Sequence, residues 1–304
     1  MRLTLPNPTV TFPSILQRRT ISLSIEREDI RVLVTRGNSV VSWEDVRLEP
    51  GLVKEGIVAD PEGLGAALKS VLDSPAVSGG RFIASVTGIR SIARVLDLPK
   101  MKPDLLNEAV AREAKREMPV PMEDIYLSWQ ALAPNDGHQK VFALAVPRDI
   151  LDPLLKAMTA AKRQPWAIDT KPLALARAAN REEAIIADIE PESADIVVVT
   201  RGVPVIMRTV IERAGELNLD ERVERFREEV ARTVKFYNDT HRQEPLEPST
   251  PIFLTGSLAL SVPMEPLEAL SQYPIEPLSP PLDYPPDLPV HTYAVNIGLA
   301  LKEV

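Results

Sequence analysis

The chain has 304 residues, 44% hydrophobic and 26% charged, which suffices for two ordinary domains or one large one with a sizeable core. Its formal net charge of −8 argues against general nucleic-acid binding, which needs a basic face. With no cysteine in the chain, disulfides, Cys-ligated zinc, iron–sulfur clusters and thiol catalysis are excluded together.

Residues 1–18 carry Pro6, Pro8 and Pro13 without a clean period and read as an irregular arm. They hold no apolar core of signal-peptide length, and no stretch approaches the ~18 apolar residues of a membrane span, so a cytoplasmic location is expected. "TISLSIE", "DIRVLVT" and "SVVSWEDVRL" alternate or are β-branched between charged or glycine-containing turns, predicting a three-strand meander. "DPEGLGAALKSVLDS" predicts a helix with Asp60 at the N-cap and Pro61 at its first position. "RFIASV" reads as a strand, and "DLLNEAVAREAKREM" as a helix with Leu105, Leu106, Ala109, Val110 and Ala114 on one face. "DIYLSWQAL" and "KVFALAVP" predict a strand pair. "RDILDPLLKAMTAAKRQ" predicts a helix interrupted or delayed by Pro153, followed by a short strand "PWAID" and a helix "KPLALARAAN".

The stretch "AIIADIEPESADIVVVTRGVPVIMRTV", 184–210, opens the second half as a strand, a tight turn and two more strands. A long helix follows, with Val223, Phe226, Val230, Val234 and Tyr237 spaced by three and four as one buried stripe. "PIFLTGSLAL" is a strand entering a glycine turn. Residues 273–290 contain seven prolines and must be loop or polyproline-like. The closing "HTYAVNIGLALKEV" reads as a helix whose Gly298 and Ala300 permit close packing. Meanders followed by helices occur twice, which suggests two similar α/β lobes.

The order and spacing of these segments resemble the actin-like proteins of the PilM type, cytoplasmic components of type IV pilus assembly and competence machinery related to the cell-division protein FtsA. The resemblance covers about residues 20–304. It rests on "SIEREDIRVLVTRGNSVVSWEDVRL", "NEAVAREAKREMPVPMEDIYLSWQAL", "PWAIDTKPLALARAA", "ADIEPESADIVVVTRGVPVIMRTV", "FLTGSLAL" and "YAVNIGLAL". It implies a two-lobed actin-like (ribonuclease H-like) α/β fold: a first lobe over 19–183 with an inserted subdomain at about 82–165, and a second lobe over 184–304. The C-terminal helix, 291–304, would return between the lobes beside "DTKPLALARAA".

Actin-like ATPases cradle phosphates between two hairpins, each with an Asp at a strand end and then a Gly whose backbone can approach the ligand. Here the first hairpin has Ser24 for the expected Asp and Glu26 for the expected Gly. The second keeps Asp188 but continues Ile189-Glu190-Pro191-Glu192, where Pro191 has no N–H and the glutamates add negative charge. Thr255 and Gly256 correspond to the adenosine-binding turn and are better preserved, although a Gly at such a turn also serves packing. The site is therefore expected to be degenerate, with no nucleotide, cofactor, metal or catalytic residue. Asp169 is expected to cap the helix that follows it rather than act as a base. The three histidines show no metal spacing, and neither a Walker motif nor a nucleophile elbow is present.

The resemblance implies a non-enzymatic scaffold at the inner face of the cytoplasmic membrane. It would bind the cytoplasmic tail of a single-span, PilN-like pilus protein in a groove between the first lobe and its insertion. Leu105, Leu106, Val110, Pro119 and Pro121 are the expected groove residues. The alternatives are an ATP-binding actin-like ATPase and the cytoplasmic domain of a type II secretion component. Homo-oligomerisation stays open.

Overall fold

A computed structural model describes residues 18–26, 28–75, 77, 79–132, 138–211, 218–262 and 272–302. Apart from Arg18, the expected N-terminal arm lies outside the described residues. β1 (Arg19–Ile25), β2 (Asp29–Arg36) and β3 (Ser39–Arg47) form the expected antiparallel meander. A two-residue ladder, β4 (Val53–Lys54) with β5 (Ile57–Val58), leads to α1 (Pro61–Asp73). Asp60 caps α1, its side chain accepting from the Gly63 N–H at 3.0 Å.

β6 (Arg81–Val86) runs parallel to β1 near the middle of the first sheet. β7 (Ile92–Pro99), α2 (Pro103–Glu117), β8 (Ile125–Ala131) and β9 (His138–Pro147) follow, with the three strands forming a separate antiparallel sheet in the order β7-β9-β8. α3 (Arg148–Ala160) carries Pro153 inside it, and β10 (Ala167–Thr170) closes the first sheet in the order β10-β6-β1-β2-β3. Three points depart from the sequence reading here. β7 was not legible as a strand, because "IARVLDLP" mixes charged with apolar residues on an edge. The unit with its own sheet and core spans only 92–147, not 82–165: β6 is hydrogen-bonded into the first sheet, and Ile150, Leu151, Leu154, Ala157 and Met158 of α3 pack into the first lobe's core. Pro153 neither interrupts nor delays α3.

α4 (Lys171–Ala179) is followed by β11 (Ala184–Ile189), β12 (Ser193–Thr200) and β13 (Val203–Ile211), then by α5 (Leu219–Thr240). Its stripe of Val223, Phe226, Val230, Val234 and Tyr237 is buried as the spacing predicts. β14 (Ile252–Thr255) pairs parallel with β11 and with the two-residue β15 (Ile275–Glu276), giving a second sheet ordered β13-β12-β11-β14-β15. The proline-rich segment is otherwise irregular, and α6 (Ala294–Ala300) follows it.

The period of two in the strands decides how the layers join. In β1, Ile21, Leu23 and Ile25 face the first lobe's outer core, while Leu33 of β2 and Ile83 of β6 face inward. In the second sheet, Ile185, Ala187 and Ile189 pack under α5, and Ile186, Val197 and Phe253 face inward. The two inward faces share one core with α4 and α6. Gly298 makes this possible: a Cβ there would lie 1.8 Å from the Ala174 carbonyl oxygen, so the α4–α6 crossing requires glycine.

Candidate functional site

β2 ends the first lobe's hairpin and β11 begins the second lobe's, so the two turns meet across the inter-lobe cleft. The inward register of β2 points Arg31 into that cleft, two residues before Leu33. Its Nη1 donates to Glu190 Oε1 at 2.5 Å and its Nη2 to Oε2 at 2.9 Å. Ser257, in the turn after β14, donates its hydroxyl to Oε2 at 2.6 Å and its N–H to Oε1 at 3.2 Å. Arg222 from α5 donates to the Glu190 carbonyl at 2.8 Å. Arg31 and Glu190 are both buried, at 4% exposure each.

Beside this pair, Lys171 at the start of α4 holds Glu26 Oε2 at 2.5 Å, and Glu26 Oε1 accepts from Ser24 at 2.8 Å. Asp188 is buried and accepts from the Thr255 hydroxyl at 2.7 Å, and Asp195 accepts from Thr209. Burial, reinforced by Glu190 and Asp195, pushes the Asp188 carboxyl well above the usual range. Burial likewise raises Asp195 to about 6, against the opposing pull of Lys171, and raises Asp29 to about 6. Glu190 goes the other way: burial opposes its charge, but the Arg31 guanidinium outweighs it and holds the pKa below the ordinary value. Arg31 and Lys171 are held above theirs because Glu190 and Glu26 respectively outweigh their desolvation.

These residues do not fit a triphosphate. Pro191 offers no N–H, Glu26 and Glu190 occupy both turns, and the Ser24, Lys171 and Ser257 donors and the Arg31 terminal nitrogens are already bonded to these carboxylates. The expectation that Glu190 repels phosphate as a free charge needs correcting, since Arg31 neutralises it and the carboxylate acts by occupying the space. Gly256 is kept for packing: at φ +94° a Cβ would sit 2.2 Å from the Ile189 carbonyl oxygen. Among the described residues no group of three or more His, Cys, Asp or Glu side chains is arranged to hold a metal.

Asp169 is not a helix cap. Thr170 occupies the N-cap position without a side-chain bond. Asp169 Oδ2 instead binds Arg177 at 2.8 Å and Lys302 at 2.9 Å, deep in the inter-lobe core. Sequence reading missed Arg31, Lys171 and Asp195 as site members. A legible signal for the first existed: an arginine between the apolar Ile30 and Val32 of "DIRVLVT".

The expected groove residues separate in the structure. Leu106 and Val110 are 5% and 0% exposed in the insertion's core with Ala114 and Met118, so they cannot touch a partner directly. Leu105, one position from Leu106, is 55% exposed, and Pro119 and Pro121 are also exposed. The helical stripe is thus 106, 110, 114 and 118, without Leu105.

Neither a family model nor a curated protein matches the sequence. Among solved structures, a chain of the PilM–PilN type IV pilus biogenesis complex is similar at 21% identity and a TM-score of 0.74, covering 94% of this chain and 98% of that one. The ethanolamine utilization protein EutJ from Carboxydothermus hydrogenoformans aligns over 98% and 92% of the two chains with a TM-score of 0.54 and 13% identity. The cytoplasmic domain of EpsL, an inner-membrane component of the Vibrio cholerae type II secretion system, aligns over 94% and 95% with a TM-score of 0.51 and 15% identity. Among the described residues no helix is long and apolar enough to cross a membrane. At these identities the likeness speaks for the fold alone: the chain has a two-lobed actin-like fold, similar to that of the chain from the PilM–PilN complex.

Proposed function

We propose that this chain is a non-enzymatic scaffold, positioned at the inner face of the cytoplasmic membrane by binding the short tail of a single-span, PilN-like membrane protein. The observation that carries the reading is the likeness over 94% of the chain to a member of the PilM–PilN complex. The filled cleft supports its non-enzymatic part, since the polar groups of both hairpins are bonded to each other or to neighbouring elements. The tail would lie between the first lobe and the insertion, against Leu105, Pro119 and Pro121, with Leu106 and Val110 supporting α2 from beneath.

Titration of the full chain with synthetic peptides copying the tails of small membrane proteins encoded nearby tests this. A tail should bind, and Leu105→Asp should weaken it about tenfold, the equivalent of ~1.4 kcal/mol at an exposed anchor. No binding by any such tail, or unchanged binding in Leu105→Asp and in a Pro119→Ala/Pro121→Ala variant, overturns the groove. For the cleft, millimolar Mg-ATP should leave the melting temperature unchanged, whereas a ligand at 100 times its Kd would add ~2.7 kcal/mol. A rise of several degrees that Asp188→Ala abolishes would overturn the non-nucleotide reading.

A further inference from the structure

Glu190 is held as a ligand is held. Four donors converge on its two oxygens: both terminal nitrogens of Arg31, and the hydroxyl and N–H of Ser257. None of the four belongs to the hairpin that carries Glu190. Arg31 comes from β2 in the first lobe, and Ser257 from the turn after β14 in the second. A guanidinium fork, a hydroxyl and a backbone N–H aimed at one point recognise carboxylate and phosphate oxygens alike.

The other charged groups beside the fork have contacts of their own. Lys171 and Glu26 pair with each other. Asp29 lies 3.4 Å from Arg31 Nε, and Asp188 is satisfied by Thr255 and Asp195 by Thr209. Asp45 is bonded to Tyr293, and Arg222 approaches Glu190 only at its carbonyl. Arg31 is braced by the Thr292 carbonyl at 3.3 Å, so the fork has a second anchor besides the carboxylate. The geometry also bridges lobes. Whatever occupies the point between Arg31 and Ser257 ties the first sheet to the second.

We infer that this is an oxyanion-binding site split between the lobes, whose resident ligand is the chain's own Glu190 carboxylate, and that it accepts a free carboxylate or phosphate oxyanion once that side chain is removed. A tethered ligand acts at high effective concentration, so the intact protein is closed to free anions. The inference extends the reading of the cleft as filled and does not depend on tail binding.

The test uses the full chain as wild type, Glu190→Ala, Glu190→Gln and the double variant Arg31→Ala/Glu190→Ala. Melting temperatures are compared in sodium acetate, sodium phosphate and sodium chloride at matched ionic strength. Glu190→Ala should melt lower than wild type in chloride and recover by several degrees, saturably, in acetate or phosphate. Wild type and the double variant should not respond, and Glu190→Gln, which still fills the space, should melt between them without an anion response. Recovery in phosphate alone assigns the site to phosphoryl groups, and recovery in both assigns it to oxyanions generally. No recovery in Glu190→Ala, or an equal recovery in the double variant, overturns the proposal. If Glu190→Ala folds in none of these buffers, native-state hydrogen exchange of wild type decides: a Ser257 amide as protected as the β14 amides supports the bound carboxylate, and a rapidly exchanging one overturns it. These outcomes are separable from the nucleotide reading, which is tested on wild type with Mg-ATP.

Discussion

The inter-lobe cleft and the outer face of the insertion satisfy themselves in opposite ways. In the cleft, Arg31, Lys171, Glu26 and Glu190 are buried or nearly so, and each charge has its partner within the chain. On the insertion, α2 buries Leu106, Val110 and Ala114 but leaves Leu105, Pro119 and Pro121 in solvent. The cleft has the physical character of a core. The insertion has an ordinary core beneath a surface with apolar area to spare. The difference is physical: in the cleft the charges are spent inside the fold, whereas on the insertion apolar surface stays exposed.

The comparison breaks most visibly at Arg31. Arg31→Ala leaves Glu190 buried beside Ser257 without its counter-charge, and removing one partner of a buried pair costs roughly 3–5 kcal/mol. Chemical denaturation should show that loss; a change below about 1 kcal/mol would mean the cleft is solvated and the ion pair unimportant.

Leu106 and Leu105 sharpen the contrast within two adjacent residues. Leu106→Ala removes core volume and should cost about 2–5 kcal/mol, with tail affinity falling only insofar as the insertion unfolds. Leu105→Ala should change stability by less than about 0.5 kcal/mol while weakening the tail. Equal stability losses at the two positions would show that Leu105 is packed in solution.

The smaller expected effect is in pH. The folded chain holds a proton on Asp195 up to about 6, whereas the unfolded chain releases it near 3.8. Between those values the native state binds more protons, so the contribution of Asp195 falls as pH rises from about 4 to about 6 and then levels, and Asp188 acts in the same direction. The drop from Asp195 is on the order of 2–3 kcal/mol at 1.36 kcal/mol per unit. Asp195→Asn should flatten the profile without abolishing its slope, because Asp29 titrates in the same direction and window. An unchanged slope in Asp195→Asn would remove Asp195 from the buried network.

Local patterns carried much of the fold. The period of two in "TISLSIE" and "DIRVLVT", the three-and-four spacing from Val223 to Tyr237 and Asp60 before Pro61 are each explained by forces acting within a few residues, and each element forms where that pattern lies. The loss of both phosphate-loop glycines was legible too, because glycine's role there is a backbone property of single positions. Other features depended on distance in the chain. That Glu190 meets Arg31 across 159 residues, that Asp169 reaches Lys302 as well as Arg177 instead of capping a helix, and that Leu105 faces out while Leu106 faces in follow from how sheets and helices are docked. A charge in a sequence has no partner until the fold supplies one. Whether it repels a ligand, stands in for one or supports a core is therefore settled only when burial removes water as the alternative partner.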